Sequence, residues 1–472
     1  MNKEIPKNAK VVIILISIIF LGIFYRFYQA NFEDYWFDEY FGFWISDPSI
    51  SFNETLKRNL GPELGQGQNI FFDFILKYFY GLVGYYPENG RYLTVFIGSI
   101  SIPLLTYLSY QIDKSKSYLL TAFITSHCWY LISYSQEVRT YAFVFLLTIL
   151  SFIIYIFLIK FNQKNFKKFS LLYISYFLIN LIGLINNIFF GIVVLSQFLY
   201  TINYINIKSK FKILLPNYIL VGSFFLILMF PSLKDNLSTN KFWISQVDSN
   251  FFISFFFPRF FGSKIMGYLY LFILIYLILK SNKIIIKKNS IYFLLFMLLI
   301  TSYFLPLTYS LIKIPILIDR YIIFVLVPII LLISIITFKQ PKKIRNFIIL
   351  LIVFITFGNN YLELFKRSNS KPEFNKSLSL IATSDHYKIR LLTKNKINNE
   401  WLKNYLHKIN FSKYQNIEFV DFHELNNDKH IWHLCYYPIN NFSCRSDEVE
   451  QNYNKIIDRT FYLVNASLYE RK

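Results

Sequence analysis

The sequence predicts an all-α polytopic membrane protein with a small soluble domain at its C-terminal end. Three observations predict it. The 472 residues are 54% hydrophobic and 20% aromatic but only 16% charged, with a mean hydropathy of +0.38, whereas a soluble domain is about 25% charged. Isoleucine, leucine and phenylalanine gather in long runs with the charges between them, and a spanning helix needs roughly 20 apolar residues. The stretch Tyr361–Lys472 is polar and mixed in pattern, and long enough for a small domain.

The chain begins with a polar, basic segment, Met1–Lys10, that runs into the apolar stretch Val11–Phe24. No small-residue cleavage site follows, so this is read as a retained signal anchor and first span. About 11 spans are predicted, at 11–30, 91–111, 118–133, 140–159, 169–185, 187–204, 213–231, 265–280, 290–309, 321–338 and 345–360. With the N-terminus cytoplasmic, the loops Asp113–Ser117, Lys160–Lys168, Asn206–Lys212, Lys280–Lys288 and Lys339–Arg345 fall inside. Each carries two or more lysines or arginines, as the positive-inside rule expects.

The opposite loops are Asn31–Gly90, Ser133–Arg139, the Asn186–Asn187 break, Ser232–Lys264 and Ser310–Arg320. This topology requires Ile70–Tyr86 to make no net crossing, and it places the tail outside. The domains expected are therefore a membrane domain over 1–360, with a first outer loop of surface-lying helices over 31–90, and an extracytoplasmic α/β domain over 361–472. The net charge of +21 is read as topology, with membrane lipids as the partner and no nucleic acid.

The tail holds Cys435 and Cys444, which read either as a disulfide on an oxidising outer face or as two thiols. Cys128 falls in a span and reads as packing. His423, His430 and His433 show no C-x-x-C-type companion pattern and read as surface or core residues, so no metal site is expected.

Ionisable groups at membrane depth are costly and tend to mark function. Four sets stand out, all on the predicted outer side. Asp38-Glu39 follows the first span within Tyr35–Tyr40. Adjacent acids point in different directions, so one can serve as a general base while the other orients a partner; the alternative is an acidic loop between interfacial aromatics. Glu137 and Arg139 sit in Tyr134–Tyr141, where the alternative is a surface ion pair or a snorkelling arginine. Asp319-Arg320-Tyr321 opens the tenth span and places an arginine against the positive-inside bias; arginine suits bidentate phosphate contacts, and the alternative is a local Asp–Arg pair. Arg91-Tyr92 opens the second span, as a phosphate ligand or a headgroup anchor. Acids with arginines on one face suit an anionic, lipid-linked substrate: a carboxylate to activate the acceptor and guanidiniums to neutralise a phosphate leaving group.

These motifs resemble the GT-C superfamily of membrane glycosyltransferases, nearest the protein O-mannosyltransferase and lipid A aminoarabinose transferase branch. Phe37-Asp38-Glu39 resembles the acidic pair of the first outer loop. Arg91-Tyr92-Leu93-Thr94-Val95-Phe96-Ile97-Gly98 resembles the arginine and apolar run opening the second span. Tyr134–Tyr141 resembles the Tyr-Ser-Gln-Glu-x-Arg-x-Tyr segment and is the most specific match. Arg320, Tyr321 and Pro328 resemble the Arg-Tyr that leads a late span. The resemblance covers roughly residues 10–205 and, more faintly, 310–335. One departure is the stretch Gln66-Gly67-Gln68-Asn69-Ile70-Phe71, where relatives carry His-Pro-Pro; Gln68 or Asn69 would take over a substrate contact there.

The resemblance implies inverting transfer of a monosaccharide from a polyprenyl-phosphate carrier to a lipid, glycan or protein acceptor outside the inner membrane. It implies Asp38 as base, with Glu39 second or orienting, Arg139 and Arg320 on the phosphate with Arg91 behind them, and Glu137 holding Arg139. It implies no obligatory cofactor and leaves room for a divalent cation. A flippase of a lipid-linked sugar is the alternative in another class, but no internal repeat supports it. A polyprenyl-linked oligosaccharide polymerase or ligase is a second enzymatic alternative.

Overall fold

The computed structural model describes residues 9–60, 69–160, 166–204, 214–227, 244, 247–255, 257–281, 290–383, 389–392, 402–405, 408, 417–420, 428–436 and 449–472. Gln68, His423 and Cys444 lie outside the described residues. The chain divides into two compact units, each assembled from separated stretches. One is Met1–Tyr28, Leu56–Phe72 and Thr94–Lys366; the other is Gln29–Thr55, Asp73–Leu93 and Arg367–Lys472.

The first unit is helical. Helices α1 (Ala9–Phe27), part of α3 (Phe52–Leu60), most of α5 (Pro87–Ile112), α6 (Ser117–His127), α7 (Trp129–Ser135), α8 (Tyr141–Lys160), α9 (Phe166–Asn186) and α10 (Gly191–Tyr204) are followed by Lys264–Lys280, Ile291–Ile312, Leu326–Lys339 and Lys342–Asn360. Among the described residues seven helical stretches are long and apolar enough to cross a membrane, and Leu214–Ile227 is a shorter apolar helix. Each of the eleven apolar runs read from the sequence contains helix. The stretch Asp319–Lys339 is the central one: 89% of its most apolar window is buried, against 22% for α1.

Two glycines let helices approach closely. A Cβ on Gly22 would lie 2.4 Å from Ser126 Oγ, joining α1 to α6, and one on Gly98 would lie 2.0 Å from Ser135 Oγ, joining α5 to α7. Small residues serve this purpose where lipid removes the hydrophobic drive for helix association.

The predicted third span is broken. Helix α6 stops at His127, Cys128 is extended (φ −66°, ψ 110°), and α7 restarts at Trp129. A helix end leaves its last carbonyls without partners. Buried Arg26 supplies them: its guanidinium donates to Thr125 O (2.9 Å) and Ser126 O (3.3 Å), and also to Gly22 O (2.9 Å) in its own helix. Cys128, buried and free, donates its thiol to Phe260 O at 3.2 Å, so it is a packing residue.

The second unit contains α2 (Phe37–Ile45), most of the short α4 helix (Ile70–Val83), and the tail. At 14 residues α4 is too short to span. The tail carries the helix Phe374–Ala382 and strands β1 (Ile389–Leu392), β2 (Ile417–Val420), β3 (His430–Tyr436), β4 (Tyr453–Phe461) and β5 (Val464–Arg471). They form one mixed sheet in the order β2-β1-β3-β5-β4. The β1–β2 and β1–β3 pairs are parallel, and β3–β5 and β4–β5 are antiparallel, so the tail is α/β. Cys435 in β3 is disulfide-bonded. Within the sheet His433 is buried, and His430 Nε2 lies 3.4 Å from Glu470 Oε1.

Candidate functional site

The acidic pair occupies the first turn of α2, where the helix dipole favours negative charge. Successive helical residues lie about 100° apart, and the two acids part accordingly. Glu39 is fully buried, whereas Asp38 is half-buried. Lys371 Nζ lies 2.8 Å from Glu39 Oε2 and Arg91 Nη2 lies 3.7 Å from the same oxygen.

Arg91 is itself buried. It donates to Ala30 O at 3.2 Å and to Glu33 O, and its guanidinium carbon lies 4.9 Å from the centre of the Tyr35 ring. The other loop acids are engaged in the same unit. Glu33 Oε1 accepts from the Ser370 amide (2.9 Å) and hydroxyl (2.7 Å), and Arg367 Nη2 lies 3.8 Å from its Oε2. Asp34 accepts from the Asn375 amide N–H (2.8 Å) and side chain (2.7 Å). Burial nevertheless holds the Asp34 carboxyl above its ordinary pKa, outweighing those bonds.

Around this lattice stands an aromatic shell. Tyr35 and Tyr405 stack with centroids 5.4 Å apart, Tyr40 meets Tyr405 edge-on at 4.6 Å, and Phe43 stacks on Tyr85 at 4.1 Å. Desolvation pushes the Tyr35, Tyr40, Tyr80 and Tyr405 phenols up from their ordinary values. They remain neutral at physiological pH, so the charge facing Glu39 comes from Lys371 and Arg91.

The second constellation belongs to the helical unit. In Tyr134–Tyr141, Glu137 and Arg139 are both buried, and the Arg139 amide donates to Glu137 O at 2.8 Å in a tight turn. Gln136 in the same segment has a structural task that the sequence reading did not assign. Its side-chain amide donates to Tyr25 O (3.4 Å), Arg26 O (3.0 Å) and Tyr28 O (2.9 Å), closing the C-terminal end of α1. Tyr134 packs on Tyr130 (4.4 Å) and Tyr141 (5.1 Å), and Tyr130 meets Phe260 edge-on at 5.0 Å.

Arg320 is the second residue of the 3-10 segment Asp319–Val325. Its guanidinium carbon lies 6.0 Å from the Tyr141 ring centre and 5.9 Å from that of Tyr321. Asp319 accepts the Arg320 amide at 3.0 Å and lies 3.9 Å from Arg259 Nη1, whose side chain is 56% exposed. The bond shown between Asp319 and Arg320 comes from the backbone amide, and the guanidinium beside Asp319 is that of Arg259. Arg259 was missed because a single Phe-Pro-Arg in a long loop carries no signal of its own. Tyr321 stacks on Phe189 at 5.4 Å, and its carbonyl accepts from Asn187 Nδ2 at 2.9 Å. The Asn186–Asn187 break thus supports this segment. Asn69 is buried and left-handed (φ 79°) just before α4, a conformation asparagine tolerates. Among the described residues no three His, Cys, Asp or Glu side chains gather as a metal-ligand set.

No family model matches the chain, and no curated protein matches it. Solved structures do. ArnT from Cupriavidus metallidurans in the apo state superposes with a TM-score of 0.62 at 8% identity, over 97% of both chains. The same protein bound to undecaprenyl phosphate gives 0.56 at 9% identity, again over 97% of both. The oligosaccharyltransferase AglB from Archaeoglobus fulgidus, in complex with an inhibitory peptide and a dolichol-phosphate, gives 0.53 at 9%, over 99% of this chain and 74% of that one. At such identities the likeness is one of fold. The chain is a multi-pass membrane protein with the GT-C fold, as the resemblance of its motifs implied.

Proposed function

We propose that the chain is a glycosyltransferase that moves a monosaccharide from a polyprenyl-phosphate carrier to a lipid, glycan or protein hydroxyl, outside the inner membrane. The observation that carries this reading is the placement of Asp38. It is half-buried on the first turn of α2, beside a Glu39 committed to Lys371 and Arg91. Asp38 takes the acceptor proton as the acceptor oxygen bonds to the anomeric carbon. The bond from that carbon to the phosphate oxygen breaks, and its electron pair leaves with the polyprenyl phosphate. A single displacement of this kind inverts the anomeric centre.

The growing charge on the leaving phosphate calls for preorganised cations. Arg139 and Arg320 take that role. Arg259 joins them, because Asp319 lies beside it and Arg320 follows Asp319 in the chain. Glu137 supports the Arg139 turn. Arg91, buried and bonded to loop carbonyls, is assigned to holding the acidic loop. The bound undecaprenyl phosphate and dolichol-phosphate of the two structural neighbours support a polyprenyl-linked donor here.

The test incubates purified chain in vesicles with undecaprenyl phosphate carrying a radiolabelled monosaccharide and a membrane extract as acceptor. Transfer of label with release of undecaprenyl phosphate is the expected result. Movement of the intact labelled lipid between leaflets, with no transfer, would replace the enzyme by a flippase.

A further inference from the structure

Near the start of the tail, residues 367–375 form a strap that takes hold of the first loop at three acids. Arg367 and Ser370 engage Glu33, Asn375 engages Asp34, and Lys371 engages Glu39. Arg367 also donates to Gln29 O at 3.3 Å and lies over the Phe32 ring at 5.0 Å. Phe374 packs edge-on against Phe37 at 5.7 Å and Tyr40 at 5.6 Å, which flank the acidic pair in sequence.

The strap is fixed to the tail's sheet by a reciprocal pair. The Glu373 amide donates to Tyr462 O at 3.1 Å, and the Tyr462 amide donates to Glu373 Oε2 at 3.1 Å. Tyr462 sits in the turn between β4 and β5, so the sheet holds the strap and the strap holds the loop.

We infer that Lys371 is a positioning residue: by locking buried Glu39 to the strap, it sets the rotation of α2 and thereby the orientation of Asp38. The inference rests on the reading of Asp38 as the base. A one-residue step on a helix is a 100° turn. Fixing Glu39 inward toward Lys371 and Arg91 therefore fixes where Asp38 points. Misplacing a reacting group by about 1 Å is enough to lose roughly 100-fold in rate, so a tether on the neighbouring residue bears directly on catalysis. Lys371 touches no reacting atom; it acts through Glu39. The C-terminal sheet thereby gains a task in the reaction, as the anchor of the strap.

The experiment compares the full chain in vesicles with Lys371→Met, Lys371→Arg and Asp38→Asn. Two readouts are used: amide hydrogen exchange over Phe37–Ile45, and transfer from undecaprenyl phosphate carrying a radiolabelled monosaccharide. The methionine keeps the stem of the lysine and removes its charge, leaving Glu39 with Arg91. In Lys371→Met, exchange in α2 rises while exchange in the β3–β5 strands stays as in wild type. Its kcat falls about tenfold or more at unchanged donor KM, and Lys371→Arg restores both. Wild-type exchange and kcat in Lys371→Met would overturn the inference. So would failure of arginine to rescue, or loss of protection throughout the sheet, since either makes Lys371 merely structural. Asp38→Asn separates the two readings. If that variant transfers at the wild-type rate, the base assignment falls, and the exchange arm alone decides whether Lys371 orients α2.

Discussion

The two units both set acids and arginines among aromatic rings, yet they use them differently. In the loop-and-tail unit the charges are matched and closed in: Glu39 lies between Lys371 and Arg91, and Glu33 lies beside Arg367. In the helical unit Arg320 lies about 6 Å from two tyrosine rings and Arg259 is largely exposed beside Asp319. Closed pairing holds a shape. An exposed cation such as Arg259 suits a ligand that brings its own negative charge. The comparison teaches that an ionisable residue at membrane depth is better sorted by what surrounds it than by its presence.

Breaking the closed lattice should have the largest effect. Glu39→Gln leaves two cations facing a neutral amide, and removing one partner of a buried pair costs about 3–5 kcal/mol. Thermal unfolding in detergent should shift accordingly, far more than in Lys371→Met, where Glu39 keeps Arg91. Equal shifts in the two variants would erase the distinction between a closed lattice and a set of independent pairs.

The open cluster should respond in rate and not in stability. Arg320→Ala should lower kcat about 100-fold with an unchanged unfolding profile, and Arg320→Lys should recover part of it, since lysine keeps the charge but loses the planar fork. An Arg320→Ala protein that unfolds early and transfers normally would move Arg320 into the structural class.

A smaller effect is expected at Asn187. Asn187→Ala removes the bond to the Tyr321 carbonyl, worth about 1 kcal/mol, and should loosen the Asp319–Val325 segment in hydrogen exchange without abolishing transfer.

The smallest is a pH effect on the strap. The hydrogen bonds from Lys376 and from the Tyr462 amide hold the Glu373 carboxyl below its ordinary pKa. A depressed carboxylate contributes stability that is present above its unfolded value and is lost as pH falls through the folded one. Opening of the strap, read by exchange at Tyr462, should therefore grow on acidification below the ordinary glutamate range. Glu373→Gln should flatten that dependence.

Much of this was legible in the sequence because it is local. Apolar runs declared the helices. Asp38-Glu39 and Tyr134–Tyr141 declared themselves as polar segments at the edges of spans. What was hidden is what depends on distance along the chain. Lys371 reaches Glu39 across 332 residues, and no periodicity encodes that. The break at Cys128 was hidden too, since its apolar run continues through it and only the carbonyl-capping guanidinium of Arg26 reveals the gap. Gln136 drew no role from its motif, and its amide is given to the end of α1.

We propose that Asp38 removes the acceptor proton in a sugar transfer. This is tested most directly by Asp38→Asn in vesicles, with undecaprenyl phosphate carrying a radiolabelled monosaccharide and extracted membrane acceptors. Loss of a general base predicts a fall in kcat of about 100-fold or more, with donor binding and unfolding as in wild type. Transfer at the wild-type rate by Asp38→Asn would contradict the account.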